Sequence, residues 1–312
     1  MKNNVFAHLG QIMEQKKAKK YIILAIIFSV LICGGIVLLI CSKLFSDKTL
    51  TDVKNIFSLS DINPSVIKYE ENAEDISKQE KNINPFIWYD KDMQEQLEMY
   101  QEYNEDVFAW IKIPDTTIDL PVMQTPNDEG YYLRRDLDKK YNSYGLPFLA
   151  ADCNLSDIHD NNIIYGHNIT KYERAIFADV ASYEDVDFYK EHPYIEITTD
   201  ENTEMYFIFA YLLTDNHDSN PFKYAEVTKF DCVGAFSNYM EEVKKRNWLD
   251  TGYKPDYDKK TITLSSCSNE LFGTGGNRML LIAQSMDKSI DYDGLIKNAE
   301  KEKTPLLPER LQ

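Results

Sequence analysis

Between Tyr21 and Cys41 the chain reads YIILAIIFSVLICGGIVLLIC, with no Asp, Glu, Lys or Arg. At 1.5 Å of rise per residue, a helix of that run is about 30 Å long, the thickness of a bilayer's hydrocarbon core. Lys16, Lys17, Lys19 and Lys20 stand directly before it, and a basic flank favours the cytoplasmic side. Two other readings compete, a cleaved signal peptide and a lipoprotein signal. No small-x-small cleavage site follows the run. Ile32 and Ile40 precede Cys33 and Cys41, where a lipoprotein signal needs a small residue. The expectation is a basic cytoplasmic segment over 1–20, one retained span over 21–41, and everything beyond about residue 44 outside the cell.

Charge divides the chain in the same way. The 312 residues carry 34 Lys+Arg against 51 Asp+Glu, a net of -17. The first twenty residues hold five lysines and one glutamate, so the remainder carries -21. Such an acidic body repels phosphate, and no nucleic-acid partner is expected. Hydrophobic residues make up 43% and aromatic residues 12%, too much for a disordered chain. Cys33 and Cys41 fall in or at the span, which leaves Cys153, Cys232 and Cys267 beyond it. An odd number outside the membrane leaves at least one thiol unpaired within the chain, and a Cys153–Cys232 bridge stays open. No CxxC or HExxH spacing occurs, so neither metal nor other cofactor is expected.

Residues 42–89 are polar, carry Asn63-Pro64 and Asn84-Pro85, and read as a stalk. Met93, Leu97 and Tyr100 then recur at helical spacing within Asp90–Glu105, which predicts one amphipathic helix packed on a domain. From Val107 the period becomes two. Strands are expected at 107–113 and 118–122, split by the turn Pro114-Asp115, and at 145–150, 162–165, 194–198, 205–213, 261–265 and 279–284. Thr228–Trp248 places Phe230, Val233, Phe236, Met240 and Val243 on one stripe, a helix inserted before the 261–265 strand. Short strands without βαβ alternation argue for a mainly β domain, closed or sandwich-like, with attached helices. It spans 90–286, and the charged tail 287–312, with Pro305 and Pro308, reads as a peripheral helix and a frayed end.

The chemistry concentrates at three strand ends. TITLSSC (261–267) delivers Cys267 at a strand terminus, where a thiol is more accessible than in mid-strand. A lone cysteine is usually a small buried hydrophobe, so reactivity needs a partner. The apolar strand IIYG (163–166) ends at His167, able to reach another strand end across a barrel rim and exchange a proton with a thiol. His159, His192 and His217 lie in polar stretches without that setting. Arg278 opens RMLLIAQ after the loop that returns the chain from Cys267. If the two strands form a hairpin, the guanidinium starts beside the thiol and can donate to an oxyanion. An ordinary rim ion pair is the alternative.

IIYGHN around His167, TLSSC ending at Cys267 and the Arg278 that opens RMLLIAQ resemble the three signature segments of sortases, membrane-anchored cysteine transpeptidases of Gram-positive bacteria. VFAWIKIPDTTIDLPVMQ (107–124), YYLRRDL (131–137) and GLPFLAADCN (145–154), the preceding helix and the helix inserted before the cysteine strand are similar to class B members. The resemblance covers residues 90–285 and implies a closed sortase-like β-barrel. It also implies Cys267 as nucleophile, His167 as general acid/base, and Arg278 as oxyanion or substrate-positioning donor. Ser266 stands where the family usually has Thr, which keeps a hydroxyl near substrate, and Leu133 is a substrate-groove candidate by its place in YYLRRDL. The implied reaction cleaves a C-terminal sorting signal of a secreted protein through a thioester. It then transfers the protein to a peptidoglycan amine or to a pilin lysine. A cysteine hydrolase and a non-catalytic membrane-anchored binding ectodomain are the competing functions.

Overall fold

The computed structural model describes residues 84–219, 221–267 and 276–312. The predicted span 21–41, the basic segment and the stalk up to residue 83 lie outside the described residues. Among the described residues no helix is long and apolar enough to cross a membrane.

In chain order, β1 (Ile87–Trp88) and α1 (Lys91–Tyr103) precede β2 (Val107–Lys112), β3 (Asp119–Met123), β4 (Phe148–Leu149) and β5 (Asn161–Gly166). A small hairpin of β6 (Asn168–Ile169) and β7 (Ala175–Ile176) leads to α2 (Val186–Glu191), then β8 (Tyr194–Thr198) and β9 (Thr203–Asp215). The inserted helix α3 (Val233–Arg246) and β10 (Leu249–Asp250) come before β11 (Thr261–Cys267) and β12 (Asn277–Ser285), and α4 (Tyr292–Asn298) and β13 (Glu300–Lys301) follow. Eight strands close into a barrel in the order β9-β12-β11-β5-β4-β3-β2-β8, because β8 pairs with both β2 and β9. β1 adds outside this ring, with Ile87 opposite Glu204 and Trp88 opposite Thr203. Of the two candidate β architectures, the chain forms the closed one, which leaves few unpaired edges.

Local chemistry sets the elements. Asp90 caps α1 by accepting from the Met93 amide at 3.1 Å, one of the orphan donors of a helix start. The buried stripe of α1 is Gln94, Leu97 and Tyr100, and the Tyr100 ring meets Trp110 edge-on at 5.0 Å. Met93, expected on that stripe, is half-buried and Gln94 takes the inner position. α3 is shorter than the expected 228–248. Phe230 is buried ahead of it, while Val233 opens the helix 58% exposed. The stripe that packs is Phe236, Tyr239, Met240 and Val243.

The polar residues of β11 are enclosed: every residue from Thr261 to Ser266 is buried. β5 and the segment around α3 supply their hydrogen bonds. Thr263 Oγ1 donates to Asn161 Oδ1 at 2.8 Å, Asn161 Nδ2 donates to the Tyr239 hydroxyl at 3.2 Å, and the Tyr224 and Ser265 hydroxyls lie 2.7 Å apart. A buried hydroxyl without a partner costs about 1–3 kcal/mol, so the tyrosines of the insertion make the polar face of β11 tolerable inside the domain.

One open question is answered and one expectation is corrected. Cys153 and Cys232 are free thiols, one buried and the other exposed, so the open bridge between them is not formed. The tail is not frayed: β13 pairs with β10, Leu249 opposite Lys301, and the Leu306 amide donates to the Lys245 carbonyl at 2.7 Å.

Candidate active site

Strand register brings the three signature segments together. β11 and β12 are antiparallel, with Cys267 directly opposite Arg278. β5 lies parallel on the other side of β11, with Ser265 beside Tyr165 and Ser266 beside Gly166. The paired register ends there, and His167 is the residue that follows β5. Cys267 and Arg278, paired across β11 and β12, and His167, one residue past the end of β5, thus form a row along one end of three adjacent strands at the barrel rim. With about 4.8 Å between strands, Cys267 and Arg278 are direct cross-strand neighbours, and the charge of Arg278 reaches the His167 imidazole.

Parity separates Cys267 from its neighbour. Thr263, Ser265 and Cys267 share the outer face of β11, and Cys267 is half-buried. Ser266 points the other way and is 1% exposed. Its hydroxyl donates to the Gly166 carbonyl at 2.9 Å, which ties β11 to β5 at the residue before His167. The sequence reading puts this hydroxyl next to substrate; the group it meets here is the backbone of β5.

His167 is held at its ring and at its backbone. Its Nε2 is 2.9 Å from the Leu133 carbonyl. A carbonyl only accepts, so Nε2 carries the hydrogen and the lone pair of the neutral ring is on Nδ1. The His167 carbonyl accepts from the Phe177 amide at 2.9 Å, and Phe177 is fully buried. A Cβ on Gly166 would stand 2.5 Å from the Phe177 ring, so only glycine lets that ring brace the strand end. Leu133, the groove candidate, has a side chain 43% exposed; what reaches His167 is its backbone oxygen. The turn presenting that oxygen, Tyr131–Arg134, is anchored by buried Tyr132. The Tyr132 hydroxyl donates to Asp106 Oδ2 at 2.6 Å and accepts from Asn104 Nδ2 at 2.8 Å. Gly145 presses on the same turn with φ +61, and a Cβ there would lie 2.3 Å from the Leu133 oxygen.

No protein-family model matches the chain. Sortase B of Listeria monocytogenes is 30% identical over 179 residues, 57% of this chain and 70% of the relative. The chain belongs to the sortase B family. Sortase B of Staphylococcus aureus is 22% identical over 209 residues, covering 67% of this chain and 78% of the relative. The solved sortase B of L. monocytogenes superposes with a TM-score of 0.51 and 28% identity, over 59% of this chain and 97% of that one. A sortase B–substrate complex of S. aureus has the same fold, with a TM-score of 0.55, 20% identity, and 69% and 92% coverage. This sortase is accordingly a cysteine transpeptidase on a closed β-barrel.

Two other cysteines lie among the described residues. Cys153 is 3% exposed and its thiol donates to the Asn161 carbonyl at 3.4 Å. Burial pushes that thiol up to about 11, so it stays protonated and inert. Cys232 is exposed, at the start of α3.

Burial lowers the His167 imidazolium below its ordinary range, the Leu133 carbonyl opposes this, and the charges of Arg134 and Arg278 lower it further. The neutral ring is therefore favoured, and the acid limb of kcat/KM in this sortase is expected below about pH 6.5. Arg134→Gln removes one of the two nearby positive charges, so the limb should move to higher pH. A pH–rate profile of the two proteins checks this, and coincident limbs would sever the link between Arg134 and His167.

One neighbour of the row is not legible in the sequence. Tyr224 is buried and bonds Ser265 two residues before Cys267; burial raises the pKa of its hydroxyl, and the Arg278 charge works against that rise. It sits in NPFKYAE, a stretch without periodicity, so only the fold brings it to the site.

Proposed function

We propose that the sortase cuts the C-terminal sorting signal of a secreted protein at a peptide carbonyl and passes the protein to a cell-wall peptidoglycan amine. In this reading Cys267 is the nucleophile, His167 the general acid/base and Arg278 the oxyanion donor. What supports it is that the three stand at one end of β5, β11 and β12, with Cys267 paired to Arg278 and His167 one residue past β5. His167 Nδ1 accepts the thiol proton, and the Cys267 thiolate adds to the scissile carbonyl. The negative charge that develops on the carbonyl oxygen is met by the Arg278 guanidinium. The imidazolium returns its proton to the departing amine, the C–N bond breaks, and a thioester on Cys267 remains. An incoming amine, its proton taken by His167, then attacks the thioester and releases the thiol.

A substrate complex of the S. aureus enzyme and a solved sortase B complexed with triglycine support a peptide donor and an amine acceptor. A retained membrane span over 21–41, with the catalytic domain outside the cell, belongs to the same proposal. Confining enzyme, substrate tail and a lipid-linked acceptor to one surface raises their effective concentration without new contacts.

The test is to incubate the enzyme with the secreted proteins of its own cell and measure the mass of the Cys267 peptide. The expected result is an acyl adduct on Cys267 that added triglycine or a peptidoglycan stem peptide removes with formation of a new amide. An unmodified Cys267 would overturn the site assignment. An adduct lost to water at the same rate with and without amine would make the enzyme a hydrolase, and resolution by a pilin lysine alone would shift the product to a pilus.

A further inference from the structure

The tail after β12 runs from the base of the barrel to the rim that holds the row. At the base, the Met286 amide donates to the Met205 carbonyl at 3.1 Å, and Tyr292 packs on Phe207 with centroids 5.0 Å apart. Midway, the Glu302 amide donates to the Trp248 carbonyl at 2.9 Å, and the Lys301 ammonium stands 5.1 Å over the Trp248 ring. The last turn meets the loop that follows β9. The Glu309 amide donates to Asp218 Oδ1 at 3.0 Å. The Ser219 amide donates to Glu309 Oε1 at 3.1 Å, and the Ser219 hydroxyl donates to the same oxygen.

The loop held in this way touches the strand that carries Arg278. Asp215 ends β9 opposite Asn277, and Thr214 lies opposite Arg278. The Asn216 amide donates to the Gly276 carbonyl at 3.3 Å. Gly276 has φ +93 and is enclosed so closely that a Cβ would stand 2.3 Å from the His217 ring and 2.6 Å from the Asp215 carboxylate. A displacement of residues 216–219 therefore reaches Gly276 and, two residues on, Arg278. The same loop leads into the segment that carries Tyr224, bonded to Ser265.

We infer that residues 287–312 act as a strap whose last turn sets the loop after β9, and that Glu309 is a positioning residue for the Arg278 side of the active site. This rests on the reading of Arg278 as an oxyanion or substrate donor. Glu309 touches no reacting atom; it acts by fixing Ser219 and Asp218 through both its carboxylate and its backbone.

The experiment compares the full chain with Glu309→Ala, Glu309→Gln and a chain stopped after Leu307. The donor is the sorting peptide recovered from Cys267 and the acceptor is triglycine. A misplacement far from the chemistry can cost up to about a hundredfold, and for an exposed two-bond clamp a loss of about three- to tenfold in kcat/KM is expected for Glu309→Ala and the shortened chain. Glu309→Gln keeps an acceptor oxygen and should return to within about twofold of the parent. Iodoacetamide should alkylate Cys267 at the parent rate in all three, and the melting temperature should not move. Equal kcat/KM for parent and Glu309→Ala would overturn the strap, as would a loss that falls in step with alkylation and melting temperature. A parent chain that never acylates Cys267 would instead refute the site reading beneath it.

Discussion

Cys267→Ala is expected to lower peptide transfer by about 10⁴-fold or more, to the level left by binding alone. The reason is chemical. The row offers a thiol, an imidazole and a guanidinium, and of these the thiolate is the group suited to form and release an acyl bond near neutral pH. Cys153→Ala and Cys232→Ser should each retain the parent rate. The Cys153 thiol is sealed in the core and held protonated, with its pKa pushed up to about 11, and Cys232 lies exposed at the start of α3. Initial rates with an added amine decide the matter. Turnover above about one hundredth of the parent in Cys267→Ala would place the nucleophile elsewhere, given the scale of loss in comparable sites.

Arg278→Ala should cost about 10²- to 10³-fold in kcat, the size seen when one oxyanion donor is removed from an acyl-transfer site. The side chain is half-buried at the rim and its η1 nitrogen donates to the Asn277 carbonyl at 3.1 Å. That bond turns part of the planar fork to the backbone and limits how it can rotate. Arg278→Lys should recover little, because an ammonium cannot hold the carbonyl and an oxyanion in one fixed plane. The pairing of β12 with β11 and β9 uses backbone groups, so the barrel should stay folded in both variants. Single-turnover acylation of Cys267 measures the step directly. An unchanged acylation rate with a raised KM would make Arg278 a substrate anchor and remove its oxyanion role.

Much of the site is legible because strands translate sequence order into place. TITLSSC and RMLLIAQ are joined by a loop short enough for a hairpin, so Cys267 opposite Arg278 follows from counting back along two strands. The position of His167 is less determined. A parallel neighbour is set by the whole barrel, and nothing in IIYGHN specifies that β5 lies against β11. The α3 stripe departs from expectation at Val233 because helical periodicity continues past the residues that begin the helix. The cover over the polar side of β11 is not legible, since alternation does not reveal what later packs on a strand. Leu133 draws notice for its side chain, whereas the group that meets His167 is a carbonyl, and backbone roles leave no mark on residue type.

From the sequence alone come the uncharged run and its basic flank, the strands, the three chemistry-bearing residues and the family they resemble. These depend on composition and on periods of two and 3.6, which are local properties of a chain. Ring closure is decided only in three dimensions, as are the turning of Ser266 toward Gly166, the clamp of Leu133 and Phe177 on His167, and the tail's return to the rim. Each of those depends on contacts between residues distant along the chain, such as Ser266 with Gly166 or Glu309 with Ser219. Their pairing is selected by the packing of the whole core and by the need to satisfy every buried polar group, which no local pattern encodes.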